Sequence, residues 1–425
     1  MVGGVASKNA PSPKVVVPHF LFGAFSLLAL SVLLLFNLDV LNGPYFSPSV
    51  LSMVHLAVLG WISMIIFGAL YQLVPVVMDV KLYSEKLAKV NFYIFALAIV
   101  LFVYAFWNLS TSNGLFHLAG FLSFTSIILF SINILMSASN SSQKDYSVKF
   151  IKNSIFWLIM TASLGFVLVV NLMSPFLEIN HLQLLKVHAH FGIIGWFLLL
   201  IIGVSSKLIP MFLVSHNLDE RKMRIAFVLT NYGLTLLFIV FIFDLGPVLV
   251  ALSAFIIVMG IASFVLYLYE AYTKRIKRIL DIGMKHTLLS FIVLILPILL
   301  ILIVPFTFDI DISQQSTLAY GLSIILGFIT ALILGQTYKT LPFIVWLYEY
   351  RGKMGNKEVP LPRELYSEKI ATIHYYAYTI AFLNLFIGVL ADVYALKLIG
   401  AIVFLITALL YNFNILKIIN HKAKF

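Results

Sequence analysis

The chain has 425 residues, of which 62% are hydrophobic and 11% charged, with a formal net charge of +11 and no cysteine; its mean hydropathy is +1.05. That balance excludes an ordinary soluble domain and points to a polytopic membrane protein. The lack of cysteine excludes structural disulfides, thiolate metal sites, iron–sulfur clusters and covalently attached haem, all of which need sulfur.

A spanning helix needs about 20 apolar residues, and twelve segments meet that requirement, starting near His19, Leu51, Lys89, Gly114, Phe150, Lys186, Arg224, Gly246, Met284, Thr317, Ala371 and Tyr394. The polar first stretch, with Pro11, Pro13 and Pro18, reads as a flexible cytosolic tail over residues 1–17. Residues 18–425 then form a single all-α transmembrane domain. Basic residues cluster in alternate connections: Lys8 and Lys14; Lys81, Lys86 and Lys89; Lys144, Lys149 and Lys152; Arg221, Lys222 and Arg224; Lys274 to Arg278; Arg351 to Lys369; and Lys417, Lys422 and Lys424. The opposite connections hold Asp39, Glu178, Asp244, Asp309, Asp311 and Asp392 but only Lys186 and Lys397. Positive-inside bias therefore places both termini in the cytoplasm and accounts for the net charge without nucleic-acid binding. The long connection ending in PRELYSEK reads as a solvated cytoplasmic loop.

The second, sixth and tenth spans are versions of one another. HLAVLGWISMIIFGALYQLVP, the segment from His190 to Pro210, and LSIILGFITALILGQTYKTLP align Gly60 with Gly195 and Gly327, Gly68 with Gly203 and Gly335, and Pro75 with Pro210 and Pro342. A shared register at such spacing means a repeat. The expected fold is three four-helix repeats, approximately 18–140, 150–271 and 284–420, with the marked helices in equivalent positions. The glycines suit close helix packing, and the prolines suit a kink or stop at the cytoplasmic boundary.

Histidine carries the chemistry. His55, His117, His181, His188 and His190 fall near the outer ends of spans two, four and six. A polar side chain within a span is costly unless paired, which makes it a functional candidate. His188 and His190 are two residues, about 200°, apart and must face different neighbours. Without acidic residues in these spans, imidazole suits haem iron or copper better than a proton relay; the competing reading is interfacial histidines bonded to carbonyls or water. The repeat sets His55 and His190 at equivalent depth. At the inner ends Gln72, Lys207 and Lys339 precede each proline. Lysines there ordinarily snorkel to headgroups; the sharper alternative is an inward polar path through Lys207, Lys339, Tyr338 and Gln336.

These features, with HLAVLGWISMIIFGALYQLVP and GQTYKTLPFIVW, resemble subunit I of the haem-copper oxidase superfamily, in particular short relatives of the cbb3 type, over most of the chain from His19 to Asn420. The resemblance implies a haem b ligand at His55 and a metal ligand at His188 or His190; His117 is a further metal candidate from its place near the outer end of span four. The family's remaining ligands are missing: no histidine lies between His216 and His286, and the two tenth-span positions are Tyr320 and Leu322. Copper is therefore not expected, its site being incomplete. Haem would lie between spans two and six, either with His55 and His190 as axial ligands or with one axial histidine and an open position for oxygen or nitric oxide. The resemblance further implies a prokaryotic plasma membrane, respiratory electron transfer or diatomic-gas chemistry, and an electron donor, other respiratory subunits or a second copy as partners. The alternative is an inactive relative acting as a transporter, sensor or assembly partner.

Overall fold

The computed structural model describes residues 9–111, 113–303, 310–351 and 358–423. The tail through Lys8, together with Asp309, Lys353, Lys357 and Lys424, lies outside the described residues, as does the side chain of Asp311. Twelve helices in the described residues are long and apolar enough to cross a bilayer. They are α1 (Pro13–Phe36), α2 (Pro48–Val77), α3 (Glu85–Trp107), α4 (Gly114–Ser139), α5 (Tyr146–Met173), α6 (His181–Leu213), α7 (Glu220–Phe243), α8 (Pro247–Thr273), α9 (Ile282–Ile301), α10 (Gln314–Glu349), α11 (Glu368–Leu390) and α12 (Tyr394–Ile419). The chain is a multi-pass membrane protein. α2, α6 and α10 begin at one end of the bundle, here the histidine end, and run to the lysine end.

Most helices start where a short polar side chain takes up a free N–H of the first turn. Ser12, Ser47, Ser84, Asp145, Asp219, Asp281 and Ser367 each accept such a bond. Ser12 and Pro13, at the first helical position, start α1 ahead of His19, so residues 13–17 are helix rather than tail. Between α7 and α8 the chain reverses through Asp244 (φ 49°) and Gly246 (φ 89°), and only glycine takes the latter without strain.

The three marked helices form the interior. At least 67% of the apolar window of each is buried inside the protein, whereas no other helix exceeds 50%. They touch pairwise: Trp61 Nε1 donates to Thr330 Oγ1 at 3.0 Å, Phe67 meets Trp196 at 6.4 Å, and His190 meets Tyr320 at 6.2 Å. Each also contains a π-helical stretch, Leu56–Ser63, Phe191–Leu198 and Ser323–Ile329. These begin one residue after His55, His190 and Leu322, the three aligned positions. The glycines pack as their register implies. A Cβ on Gly68 would stand 2.6 Å from His19 Cβ on α1, one on Gly203 2.6 Å from Phe150 Cβ on α5, and one on Gly335 2.7 Å from His286 Cβ on α9. The same contact thus recurs between α1 and α2, α5 and α6, and α9 and α10.

Two details differ from the sequence reading. Pro75 and Pro210 lie in the last turn of their helices, but α10 continues about two turns beyond Pro342 to Glu349, so that proline stops nothing. The connection after α10 is tied to the bundle: Trp346 Nε1 donates to the Pro360 carbonyl at 2.6 Å, Ser367 N to Asn414 Oδ1 at 3.0 Å, and Leu365 and Tyr366 are buried.

Candidate functional site

At the histidine end the helices splay around a cavity of about 750 Å³, within the range of roughly 300–1,000 Å³ typical of ligand sites. Its lining is predominantly apolar and includes His55, His181, His188, His190, Trp196 and Tyr320. Three imidazoles are anchored around it in the same manner. His55 Nδ1 bonds the Leu51 carbonyl one turn back at 2.7 Å, His190 Nδ1 bonds the Lys186 carbonyl at 2.8 Å, and His188 Nδ1 bonds the Thr161 carbonyl of α5 at 3.0 Å. A carbonyl on Nδ1 fixes the ring's orientation and tautomer and leaves Nε2 with a lone pair for another partner. His190 Nε2 is buried and has no hydrogen-bond partner; the indole Nε1 of Trp196 and the hydroxyl of Ser123, both in the cavity wall, are in the same condition.

His188 and His190 do face different neighbours. His188 turns to α5, where the absence of a side chain at Gly165 makes room for it: a Cβ there would lie 2.8 Å from its Cε1. Its ring stacks on His55 with centroids 6.4 Å apart and planes 19° apart. His190 turns to α7 and α10, against Phe241 at 5.1 Å and Tyr320 at 6.2 Å. The structure therefore puts His55 beside His188, and His190 beside Tyr320. His117 is not among the cavity-lining residues, although its neighbour Phe116 is. Among the described residues no group of three or more His, Cys, Asp or Glu is placed to hold a metal ion. Tyr320 and Leu322 line the cavity where the resemblance called for ligands, and Phe241 supplies part of the α7 wall.

The inner polar residues are arranged differently from a snorkelling set. Lys207 Nζ pairs with Asp145 at 2.8 Å, and Lys339 Nζ pairs with Asp281, which also binds Lys277 at 3.0 Å. The two acids are the N-caps of α5 and α9, so each joins a helix start to the marked helix beside it. Burial alone would raise the Asp145 carboxyl, but the bonds from Lys207, Ser147 and the Val148 amide hold it below the usual carboxylate range. Asp281 is held low in the same way against its burial, by Lys339, Lys277 and the Met284 amide. Gln336 Nε2 donates to Thr287 Oγ1 at 2.8 Å, and Tyr338 OH accepts a longer bond from Asn414 at 3.4 Å.

Sequence reasoning missed Asp145 and Asp281, whose signal was their position directly before helical runs. It also missed His286, which packs against Tyr375, Tyr378 and His374. The signal for His286 was its spacing, 49 residues before Gly335, as His19 stands 49 residues before Gly68.

No family model matches the chain. It is similar to an uncharacterised protein of Aquifex aeolicus, 25% identical over 301 residues that cover 70% of this chain and 72% of that one. It is also similar, at 42% identity over 79 residues, to the cytochrome c oxidase subunit 1 homolog, bacteroid, of Bradyrhizobium diazoefficiens; that match covers 17% of this chain and 14% of the relative.

Proposed function

We propose that this is a haem-binding membrane protein with the three-repeat architecture of cytochrome c oxidase subunit I, acting in respiratory electron transfer or diatomic-gas chemistry. The observation that carries the reading is His190. Its ring is fixed through Nδ1, its Nε2 is buried without a partner, and it borders an apolar cavity large enough for a macrocycle. His55 is fixed in the same way on the aligned turn of α2, so His55 and His190 are the residues that would hold the haem iron. His188, held by Thr161 and Gly165, is the third imidazole of the site. Bound there, haem would supply a one-electron carrier or a seat for a small gas. The phenyl and indole walls exclude water, and Lys186 near the mouth offers a cation to an anionic group. The π-helical stretches and the repeated Gly contacts support a pseudo-threefold arrangement of α2, α6 and α10. The lysine-rich connections support cytoplasmic termini in a prokaryotic plasma membrane. A dinuclear copper centre is not part of the reading, because the α7 and α10 walls present Phe241, Tyr320 and Leu322.

Full-length protein purified from a haem-supplied host is expected to show the Soret band of non-covalent b-type haem, reduced in occupancy or changed in spin state by His55→Ala and by His190→Ala. A colourless wild-type protein would overturn the proposal in favour of an inactive relative with a transport, sensor or assembly role.

A further inference from the structure

Arginine is rare in this chain and unevenly placed. Of six arginines, four stand in two short runs: Arg221 and Arg224 at the start of α7, and Arg275 and Arg278 just past the end of α8. The positive-inside bias explains why these connections are basic, but it does not distinguish arginine from lysine. The connections between α2 and α3 and between α4 and α5, at the same end, use lysine alone: Lys81, then Lys144.

The fold brings the two runs to one corner. α7 and α8 form a hairpin that packs across Gly233 and Gly260, where an added Cβ would stand 2.6 Å from Ile257 and 2.6 Å from Thr230. At the lysine end of this hairpin Glu270 of α8 accepts from Lys222 of α7 and from Lys274, each at 2.7 Å, and from the Asp219 amide at 3.3 Å. The stretch after α8 is also held against the stretch after α6. Ile276 N donates to the Val214 carbonyl at 3.4 Å, Lys277 N to the Leu213 carbonyl at 3.2 Å, and Lys274 Nζ to the Asn217 carbonyl at 2.6 Å.

Within this corner the lysines and the arginines meet different things. Lys222 and Lys274 share Glu270, and Lys277 binds Asp281. Arg221, Arg224, Arg275 and Arg278 enter no ion pair among the described residues. Arg275 is oriented by other means: its guanidinium lies over the Tyr272 ring at 3.6 Å, its Nη1 donates to the Tyr272 carbonyl at 2.6 Å, and its Nε is buried without a partner. A stacked guanidinium keeps a planar edge of N–H donors that fits two phosphate oxygens at once, which an ammonium cannot offer.

The lipid side of the corner is apolar. Arg221, Arg224, Ile225 and Val228 fall within about 100° of one face of α7, and all four are exposed. Beside the loop arginines Ile276 is 68% and Ile279 82% exposed, a costly display in water that a bilayer interface would relieve. We propose that this corner binds an anionic phospholipid, the guanidinium groups taking the headgroup phosphate and the apolar face beneath them taking the acyl chains. Basic clusters at the end of a spanning helix recognise such headgroups. A free phosphate would engage the arginines and leave the isoleucines in water, so the occupant is lipid. None of the four arginines lines the cavity at the opposite end, and the site is independent of the haem reading.

The test supplies full-length protein in mild detergent with phosphatidylglycerol or phosphatidylcholine and counts bound lipid by native mass spectrometry. The wild type is expected to retain phosphatidylglycerol about tenfold more strongly than phosphatidylcholine, and inorganic phosphate should displace no more of it than chloride at equal ionic strength. Replacing all four arginines together, Arg221→Lys, Arg224→Lys, Arg275→Lys and Arg278→Lys, keeps the charge and with it the topology, and should abolish most of that preference. Lys144→Gln with Lys152→Gln, at another connection of the same end, should leave it unchanged. Equal retention of the two lipids by the wild type, specific displacement by inorganic phosphate, or a wild-type preference in the four-lysine variant would overturn the site. The first two outcomes are read on the wild type and so hold whether or not the variants fold.

Discussion

The two ends of the bundle are made from the same three helices and are built to opposite purposes. At the histidine end α2, α6 and α10 stand apart around about 750 Å³ of apolar space, with imidazoles fixed in orientation. Towards the lysine end each of the three instead closes on its outer neighbour, α1, α5 or α9, over a glycine whose missing Cβ would fall 2.6–2.7 Å away, and Lys207–Asp145 and Lys339–Asp281 tie two of those seams. An aligned Gly set permits close approach to a neighbouring helix. Rings such as Phe106, Phe116 and Trp196 line the open space at the other end. The cavity is therefore a consequence of side-chain size superimposed on a common helical frame.

That contrast is most directly broken at its extremes. His190→Ala and His55→Ala are expected to give the largest functional effect, loss of most bound haem or a change in its spin state, read from the Soret region, with the thermal transition of the apoprotein little changed. Gly335→Val is the largest expected structural effect. Its side chain would meet the Gly283 carbonyl and His286 Cβ, and because backbone must move, overpacking of about 3 kcal/mol or failure to accumulate is expected; a variant that melts like the wild type would show that the lysine end is not tightly closed.

Asp281→Ala removes both an N-cap and the partner of Lys339. About 2 kcal/mol of destabilisation is expected from these two losses together, measured by thermal unfolding in detergent. The pH dependence has a definite sign. The folded carboxyl is held below its unfolded value, so its contribution is complete above the unfolded value of about 4 and is lost as pH falls through the lower folded value. The difference between variant and wild type should be flat between neutral pH and about pH 5 and shrink in stronger acid. The smallest expected effect is His374→Ala on the haem spectrum, which should be unchanged; a shifted Soret band would show that the two ends communicate.

Much of this organisation was legible in the sequence. Twelve apolar runs and the Gly and Pro register located the spans and singled out the three interior helices, because hydropathy over twenty residues and small-residue spacing are local properties. The opposite facing of His188 and His190 followed from helical geometry alone. Residues 13–17, whose prolines read as tail, belong to α1 because Ser12 and Pro13 together form a helix start. The stacking of His55 on His188 was not legible, because it depends on Gly165 of another helix giving up its side chain. His286 and His374 lie on different helices with no shared motif, and only the packed structure joins them. The π-helical stretches leave no signature in composition at all.

Those stretches have a consequence for how the chain tolerates change in length. A π turn behaves as an α-helix carrying one surplus residue. In an ordinary span, deleting one residue rotates everything beyond it by about 100° and turns a buried face to lipid. Within Leu56–Ser63, Phe191–Leu198 or Ser323–Ile329 the same deletion relaxes the turn towards α geometry and leaves the phase of the flanking segments nearly intact. The stretches therefore act as slack in the three central rods, allowing the part that carries the histidines and the part that carries the lysines to be edited independently without losing their alignment.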